Sequence, residues 1–187
     1  MADNPGSLLR TDSMDDPIEV LAEGRFLRLL KEGRWEYVRR VNARGAAFIV
    51  ARTDADELVL VEQHRVPLHA RTIELPAGII GDEAEHRDES IEASALRELE
   101  EETGFRGARA EILLSGPTAP GMSGEQGHFV RAHDLVRTGP GGGVGNEEIT
   151  VHVVPIASID DWLRTQQRAG LQIDARVFVG LYFLRRA

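Results

Sequence analysis

Residues 90–105 read SIEASALRELEEETGF, and this stretch carries both a helix and its boundaries. Ser90 is a favourable N-cap residue, and Gly104 stands where a helix is expected to end. Between them, apolar residues recur at four-residue spacing, at Ile91, Ala95 and Leu99. The pattern therefore predicts one amphipathic helix over residues 90–103.

The same helix concentrates negative charge, because four of the five residues from 98 to 102 are Glu. At 100° per residue, Glu98, Glu101 and Glu102 share one side beside the apolar stripe, and Glu100 points away. Such like-charge pairs destabilise a helix by about 0.2–0.5 kcal/mol each, so a compensating cation is expected. Oxygen ligands on one face suit Mg²⁺ or Mn²⁺, and Arg97 would neutralise part of the charge. A solvated acidic surface is the alternative interpretation.

Strand patterns precede this helix, and both strand and helix patterns follow it. Before it, short apolar alternations separated by turn signals predict a meander of antiparallel strands, at 26–30, 35–41, 46–51 and 58–61. Pro76 and Gly78 are expected to stop the strand that contains Ile73. After the helix, further strands are predicted at about 108–115, 127–134 and 148–155, with helices from Ser158 to about Ala169 and from Asp174 to Arg185.

Length and composition fit one domain with a small appendage, since the chain has 187 residues, of which 42% are hydrophobic. Residues 1–16 are expected to form a flexible terminus, 17–42 an N-terminal strand region, and 43–187 the main domain. The net charge of −9 disfavours nucleic acid and membrane surfaces as partners. The absence of Cys excludes disulfides and thiolate zinc sites. No signal-peptide or membrane-span pattern is present, so a cytoplasmic location is expected.

The helix and its flanks resemble the Nudix box. Glu89, seven residues, Arg97-Glu98-Leu99, one residue, Glu101-Glu102, one residue and Gly104-Phe105 follow its order. The loop between Gly78 and Glu89 departs from it, with ten residues where the box has five. The resemblance implies that the metal is held by Glu98, Glu101, Glu102 and the carbonyl of Ala77, with Arg97 among the catalytic residues.

Upstream segments look like those of ADP-ribose pyrophosphatases and related nucleotide-sugar hydrolases. The resemblance of residues 61–65 and 73–78 implies that Arg65 contacts the phosphates of the substrate. The resemblance of residues 35–40 implies that Trp35 stacks on adenine and that Arg40 reaches the diphosphate. It also implies that Glu36 accepts a hydrogen bond from the amino group of the base. The alternatives are core or dimer-interface packing for Trp35, and plain surface charge for Arg40 and Arg65.

Two loops after the box complete the resemblance. Residues 119–125 are similar to a Pro-Gly loop that ends in an acidic residue, here Glu125. Residues 146–154 are similar to an acidic loop and strand that supply an extra metal ligand or the catalytic base, with Glu147 the first choice and Glu148 the second. The preceding run has five Gly in residues 139–145 and would let this loop swing over the substrate. A flexible linker is the alternative.

The resemblance implies an α/β fold, a Nudix α/β/α sandwich with a mixed sheet and an N-terminal antiparallel extension. It implies Mg²⁺-dependent hydrolysis of ADP-ribose to AMP and ribose 5-phosphate, with Mn²⁺ as a possible substitute. Residues 17–42 would then build a homodimer and help to bind substrate. A pyrophosphatase for a GDP- or ADP-hexose and a non-catalytic Nudix-fold nucleotide sensor are the alternatives.

Overall fold

The computed structural model describes residues 16–81, 84–145 and 148–186. The chain divides into two compact units, one comprising Met1–Val41 and Thr118–Glu125, the other Asn42–Pro117 and Gln126–Ala187. The segment Thr118–Glu125 therefore belongs with the N-terminal unit. The predicted boundaries, 17–42 and 43–187, place this segment in the main domain instead. Apart from Asp16, the expected flexible terminus lies outside the described residues.

The N-terminal unit is a three-stranded antiparallel sheet with the order β1-β2-β3. Its strands are β1 (Ile18–Glu23), β2 (Leu27–Glu32) and β3 (Trp35–Arg40). A two-residue turn joins β2 to β3, and Gly33 there has a φ of 57°, as the tightest hairpin turns require. The backbone N–H of Val38 donates to the carbonyl of Met122 at 2.8 Å, which attaches Thr118–Glu125 to this sheet.

The larger unit contains ten strands and three helices within its described residues. They are β4 (Gly45–Ala51), β5 (Glu57–Arg65), β6 (Ala70–Glu74), β7 (Ala77–Ile80), α1 (Ile91–Thr103), β8 (Phe105–Arg106), β9 (Arg109–Pro117), β10 (Gln126–His133), β11 (Val136–Arg137), β12 (Thr150–Pro155), α2 (Ile159–Arg168), β13 (Gln172–Ile173) and α3 (Ala175–Leu184). Two four-stranded sheets have the orders β7-β4-β10-β9 and β12-β5-β6-β13. In the described ranges, none of the helices is long and apolar enough to cross a membrane.

The core of the larger unit has two sides, and β4 contributes to both. Every residue of β4 is buried, and alternate side chains enter different clusters, Phe48 and Val50 one of them, Ala47 and Ile49 the other. The first cluster also contains residues of α2 and α3, and the second contains Leu99 of α1 and its neighbours. Helices thus pack on both sides of the strands of the larger unit, which confirms the predicted α/β/α sandwich.

Two local predictions differ from the structure. The meander is present in β1–β3, but β4 and β5 follow each other in the chain and lie in different sheets, and β4 pairs in parallel with the distant β10. Gly78 does not stop a strand, because it lies within β7, where it pairs with Ala47. Leu75 and Pro76 separate β6 from β7. Both differences arise from long-range pairing, which local turn signals do not encode.

Candidate active site

Helix α1 is built by its predicted caps. The Ser90 hydroxyl accepts a hydrogen bond from the N–H of Ala93 at 3.1 Å, and Gly104 closes the helix with a φ of 71°. Ala95 and Leu99 are fully buried and fix the rotation of the helix about its axis. Glu100 faces away and pairs with Arg106 at 2.7 Å, as the helical geometry predicts.

The buried carboxylate of this helix is Glu102, whose side chain reaches the backbone of β7. Glu102 is 5% exposed, and its Oε2 accepts a hydrogen bond from the N–H of Ala77 at 3.0 Å. Glu98 lies one turn earlier against the same strand, where a Cβ at position 78 would overlap its carboxyl group. Gly78 is therefore required by a close approach between β7 and the acidic side of α1.

Arg97 is surrounded by three carboxylates. Its guanidinium lies 3.0 Å from Glu98, 3.0 Å from Glu101 and 3.4 Å from Glu89. Burial alone would lower the pKa of Arg97, but these charges outweigh it and raise that pKa above its usual value. Glu89 thus reaches Arg97 despite the longer loop that precedes it in the sequence.

Arg65, at the end of β5, is held by Glu74 on the paired strand β6. The guanidinium Nε lies 2.7 Å from Oε1 and Nη2 lies 2.6 Å from Oε2 of Glu74. The hydrogen bond that Arg65 donates to Glu74 raises the pKa of Arg65, with smaller contributions from the charges of Glu102 and Asp174. Arg65 is therefore oriented by an ion pair, and the charge of Glu102 on α1 also acts on it.

A cavity of about 250 Å³ adjoins this ion pair. Its polar lining includes Arg65, Glu74, Asp174 and Arg176. Asp174 caps α3 by accepting from the N–H of Arg176 at 2.8 Å, and the guanidinium of Arg176 covers the ring of Phe48. Two cations and two carboxylates thus line one cavity of the larger unit.

The glycine-rich run is attached to the end of α1 over part of its length. The N–H groups of Gly142 and Gly143 donate to the carbonyls of Glu102 and Glu101 at 2.8 and 3.2 Å. A Cβ on Gly141 would overlap the backbone of the same helical turn. This part of the run is a packed contact and not a free linker. Beyond it, Glu147 lies outside the described residues, and Glu148 is exposed just before β12.

In the N-terminal unit, two of the predicted substrate residues contact each other. Arg40 forms an ion pair with Glu125, and both side chains are partly buried. Trp35 is 48% exposed and is therefore no part of a core within this unit. Glu36 stands opposite Lys31, and Trp35 stands opposite Glu32, so Glu36 and Trp35 point to opposite faces of the sheet. Glu36 is thus not beside Trp35 in this unit.

Comparison with known proteins assigns the family of the chain. The sequence model described as "NUDIX domain" matches residues 42–171. The chain belongs to the Nudix family. Among its relatives, the methanol dehydrogenase activator of Bacillus methanolicus is 33% identical over 136 residues, which cover 70% of this chain and 71% of the relative. The family model covers most of the length of this chain, which is therefore a Nudix hydrolase by sequence.

Two further relatives are described as pyrophosphatases. The ADP-sugar pyrophosphatase of Mus musculus is 30% identical over 200 residues, covering 94% of this chain and 86% of the relative. The ADP-ribose pyrophosphatase of Bacillus subtilis (strain 168) is 36% identical over 91 residues, covering 49% and 46%. A solved structure described as an ADP compounds hydrolase superposes with a TM-score of 0.70 at 24% identity, covering 91% of this chain and 90% of that one, and has the same fold.

Nudix hydrolases use divalent metal ions, and the donors on α1 can be tested against that requirement. The side chains of Glu98, Glu101 and Glu102 offer only oxygen, which is the donor that hard cations prefer. Gly78 leaves room for Glu98 beside the backbone of Ala77. Within the described ranges, no three acidic or His side chains already converge as a cation site. Arg97 instead pairs with two of the three. The donor chemistry therefore fits a divalent ion.

Sequence reasoning missed Glu74, Asp174 and Arg176. A signal for Glu74 was available, because a carboxylate between Ile73 and Leu75 interrupts a buried apolar segment. Glu74 is 4% exposed, and such a charge needs a partner. That the partner is Arg65 follows only from the pairing of β5 with β6.

Proposed function

We propose that this Nudix hydrolase cleaves the diphosphate bond of ADP-ribose to AMP and ribose 5-phosphate, with Mg²⁺ as its ion and Mn²⁺ as a substitute. The observation that carries the proposal is the buried Glu102 held on the Ala77 N–H, with Glu98 beside Gly78. The Bacillus subtilis and mouse relatives, an ADP-ribose and an ADP-sugar pyrophosphatase, support the choice of an ADP-linked substrate.

Glu98, Glu101, Glu102 and the carbonyl of Ala77 would hold the ion. When bound, divalent ions would polarise the phosphoryl groups and lower the pKa of a bound water. Arg97 shares one positive charge among neighbouring carboxylates and so reduces the repulsion between them. The role that we assign to Arg97 is to orient these carboxylates on α1.

Arg65 would clamp the diphosphate. A guanidinium presents several N–H donors in one plane, and Glu74 occupies only one edge of that plane. Glu74 would therefore orient Arg65 with the remaining edge toward phosphate oxygens. Glu147 stays the first candidate for the base that would accept the proton of the attacking water, and Glu148, in the same loop, stays the second.

The N-terminal residues have separate proposed roles. Trp35 would stack on the base, since its indole is half-exposed. Arg40 would bind the diphosphate, and its ion pair with Glu125 means that phosphate must compete for the guanidinium. Glu36, which lies on the face of the sheet opposite that of Trp35, stays a proposed acceptor for the amino group of the base.

We further propose that residues 17–42 form the interface of a homodimer. Large apolar side chains of this segment are exposed, among them Ile18, Val20, Phe26, Leu27 and Leu29. An exposed apolar patch on a small sheet favours association with a second copy. Light scattering after size-exclusion chromatography is expected to give twice the mass of one chain, and Val20→Glu is expected to give the mass of one chain. A wild-type monomer would contradict this proposal.

The test of the proposed activity is a substrate panel with Mg²⁺, in which products are separated by chromatography. The panel contains ADP-ribose, ADP- and GDP-hexoses, NADH and dinucleoside polyphosphates. We expect AMP and ribose 5-phosphate from ADP-ribose, at a higher kcat/KM than any other member. Preferred turnover of a nucleotide hexose would make that compound the assigned substrate in place of ADP-ribose. No turnover of any member would contradict the proposal.

A matched pair of variants on α1 tests the ion-binding residues. Glu98→Gln is expected to lower kcat by about 10²-fold or more, because it removes a charged ligand. Glu100→Gln changes the same residue type two positions away, on the side that faces Arg106, and is expected to retain wild-type turnover. Equal activity of both variants would remove the metal assignment.

A further inference from the structure

Ser94 is a buried polar residue in the first half of α1. Its exposure is 0%, and within the described residues its hydroxyl has no hydrogen-bond partner. The backbone N–H of Ser94 is paired in the ordinary way, because it donates to the carbonyl of Ser90 at 2.9 Å. A serine hydroxyl inside a helix commonly bonds back to the carbonyl one turn earlier or lies in solvent, and the Ser94 hydroxyl does neither. A buried hydroxyl without a partner destabilises a fold, so its presence on this helix calls for an explanation.

Ser94 begins a row of polar side chains along α1. Ser94, Glu98 and Glu102 follow one another at four-residue spacing, so each lies one turn beyond the last, with a rotation of about 40° per step. The other two members of the row lie against β7. Glu102 accepts from the N–H of Ala77, and the carboxyl group of Glu98 fills the space that a Cβ at position 78 would take. The row therefore places a buried hydroxyl one turn from a proposed ion ligand.

The direction of helical side chains brings the carboxylate of Glu98 toward Ser94. In an α-helix the Cα–Cβ bonds tilt toward the N-terminus, and a long side chain covers the turn before its own Cα. The side chain of Glu98 thus extends over the turn that contains Ser94. Arg97 lies 3.0 Å from one oxygen of Glu98. Because a carboxylate has about four acceptor sites, a hydrogen bond from Ser94 is compatible with this ion pair.

We propose that Ser94 is a positioning residue for Glu98, and that its hydroxyl donates to the Glu98 carboxylate when that carboxylate binds a divalent ion. The proposal rests on the proposed function and deepens it, because it adds a residue that orients an ion ligand. Carboxylates that bind metal ions are themselves held by hydrogen bonds, and loss of such a bond typically weakens metal binding by about 10–100-fold. The hydroxyl thus lowers the stability of the fold and strengthens ion binding.

The test measures two effects of Ser94→Ala that have opposite signs. Isothermal titration calorimetry of the full chain with Mn²⁺ is expected to give a dissociation constant about tenfold or more above that of wild type. Thermal melting in EDTA is expected to give a higher melting temperature than wild type, because Ala removes the unpaired hydroxyl and favours the helix. Unchanged Mn²⁺ affinity would overturn the proposal. A lowered melting temperature would also overturn it, because it would assign the hydroxyl a structural role.

Two control variants separate the hydroxyl of Ser94 from other effects of substitution. Ser94→Thr retains a hydroxyl at the same position and is expected to keep an Mn²⁺ affinity close to that of wild type. Ser158→Ala removes a hydroxyl that donates to the carbonyl of Pro155 before α2. It is the same substitution away from the acidic row, and it is expected to leave Mn²⁺ affinity unchanged.

A crystal structure of the wild-type protein with Mn²⁺ tests whether Ser94 acts through Glu98. We expect Oγ of Ser94 to lie within about 3.0 Å of a carboxylate oxygen of Glu98. A Ser94 hydroxyl bonded to another group in that structure would overturn the proposal, as would a wild-type protein that binds no Mn²⁺.

Failure of this proposal is distinguishable from failure of the proposed function. Hydrolysis of ADP-ribose by the wild type, together with unchanged Mn²⁺ affinity in Ser94→Ala, removes only the role of Ser94. Weaker Mn²⁺ binding in Ser94→Ala, together with no hydrolysis of ADP-ribose by the wild type, removes only the activity.

Discussion

The guanidinium of Arg65 and the carboxylate of Glu74 meet in a two-point contact, with distances of 2.7 and 2.6 Å. Glu74 is buried and also accepts from the hydroxyl of Thr72. The acceptor is therefore fixed from two sides, and it fixes Arg65 in turn. In the proposed function, Glu74 is therefore a positioning residue for Arg65, which would bind phosphate, and the carboxylate of Glu74 need not touch the substrate.

Replacing Glu74 with Gln is expected to raise KM for ADP-ribose by about tenfold. The amide offers one acceptor and one donor, so its NH₂ group opposes one guanidinium N–H and Arg65 loses its orientation. Steady-state kinetics measure the change. Glu62→Gln is the matched control, because Glu62 pairs with Arg71 in the same sheet. That control is expected to lower the melting temperature without raising KM, and an unchanged KM for Glu74→Gln would contradict the assignment.

Replacing Gly78 with Ala is expected to impair metal-dependent turnover by about 10²-fold. The new methyl group would overlap the Glu98 carboxyl and force that side chain from β7. Calorimetric titration with Mn²⁺ is expected to show weaker binding to the variant. Gly116→Ala, where a methyl group meets no atom within 4 Å, is the control and is expected to behave as wild type. Normal Mn²⁺ affinity in Gly78→Ala would show that the close approach is not needed for ion binding.

Replacing Gly141 with Ala is expected to detach the glycine-rich run from α1. Its φ of 71° disfavours a side chain, and the methyl group would overlap the backbone of Glu102 and Thr103. Amide hydrogen exchange at Gly142 and Gly143 is expected to accelerate, and the melting temperature to fall. Gly139→Ala adds a methyl group in open space, so its exchange rates should match those of the wild type. Unchanged exchange in Gly141→Ala would contradict a packed contact.

Replacing Asp174 with Asn is expected to remove a pH-dependent part of the stability. Burial opposes ionisation of Asp174, but hydrogen bonds from Arg176 prevail and hold the pKa of Asp174 below its usual value. A lowered folded-state pKa stabilises the fold above about pH 4, and this contribution disappears as the pH falls through the folded-state pKa. Asn still caps a helix, so the substitution mainly removes the charge.

Thermal melting at several pH values measures this effect. The difference between wild type and Asp174→Asn is expected to be largest near pH 7 and to vanish toward pH 2. Asp161→Asn is the control, because the side chain of Asp161 is 84% exposed and its ion pair with Arg164 contributes little. A difference for Asp174→Asn that does not change with pH would contradict the linkage.

Local signals were sufficient for α1. Its caps lie within four residues of the groups that they satisfy, and the side on which Glu98 and Glu102 lie follows from 100° per residue. The sandwich itself was predicted through the Nudix resemblance. Local spacing thus fixed which carboxylates face β7, and the structure adds that Glu102 reaches the N–H of Ala77.

Contacts that depend on register or long-range pairing were not predicted. The partner of Arg65 follows from the alignment of β5 with β6, and the position of Glu36 follows from the two-residue turn between β2 and β3. A slip of this register by one residue would have exchanged the faces of the sheet on which Glu36 and Trp35 lie. The glycine-rich run was interpreted from composition as mobile, whereas its contact with α1 depends on backbone groups that every residue type shares.

The hydrogen bonds that the backbone N–H groups of Gly142 and Gly143 donate to the last turn of α1 set a practical limit on engineering this enzyme. A peptide tag or fluorescent reporter inserted between residues 138 and 143 would disturb the hydrogen bonds to the backbone carbonyls of Glu101 and Glu102. Gly145 has open space around it, so an inserted tag or reporter is better accommodated there. A sensor for nucleotide diphosphates built on this scaffold would place its reporter after the anchored glycines.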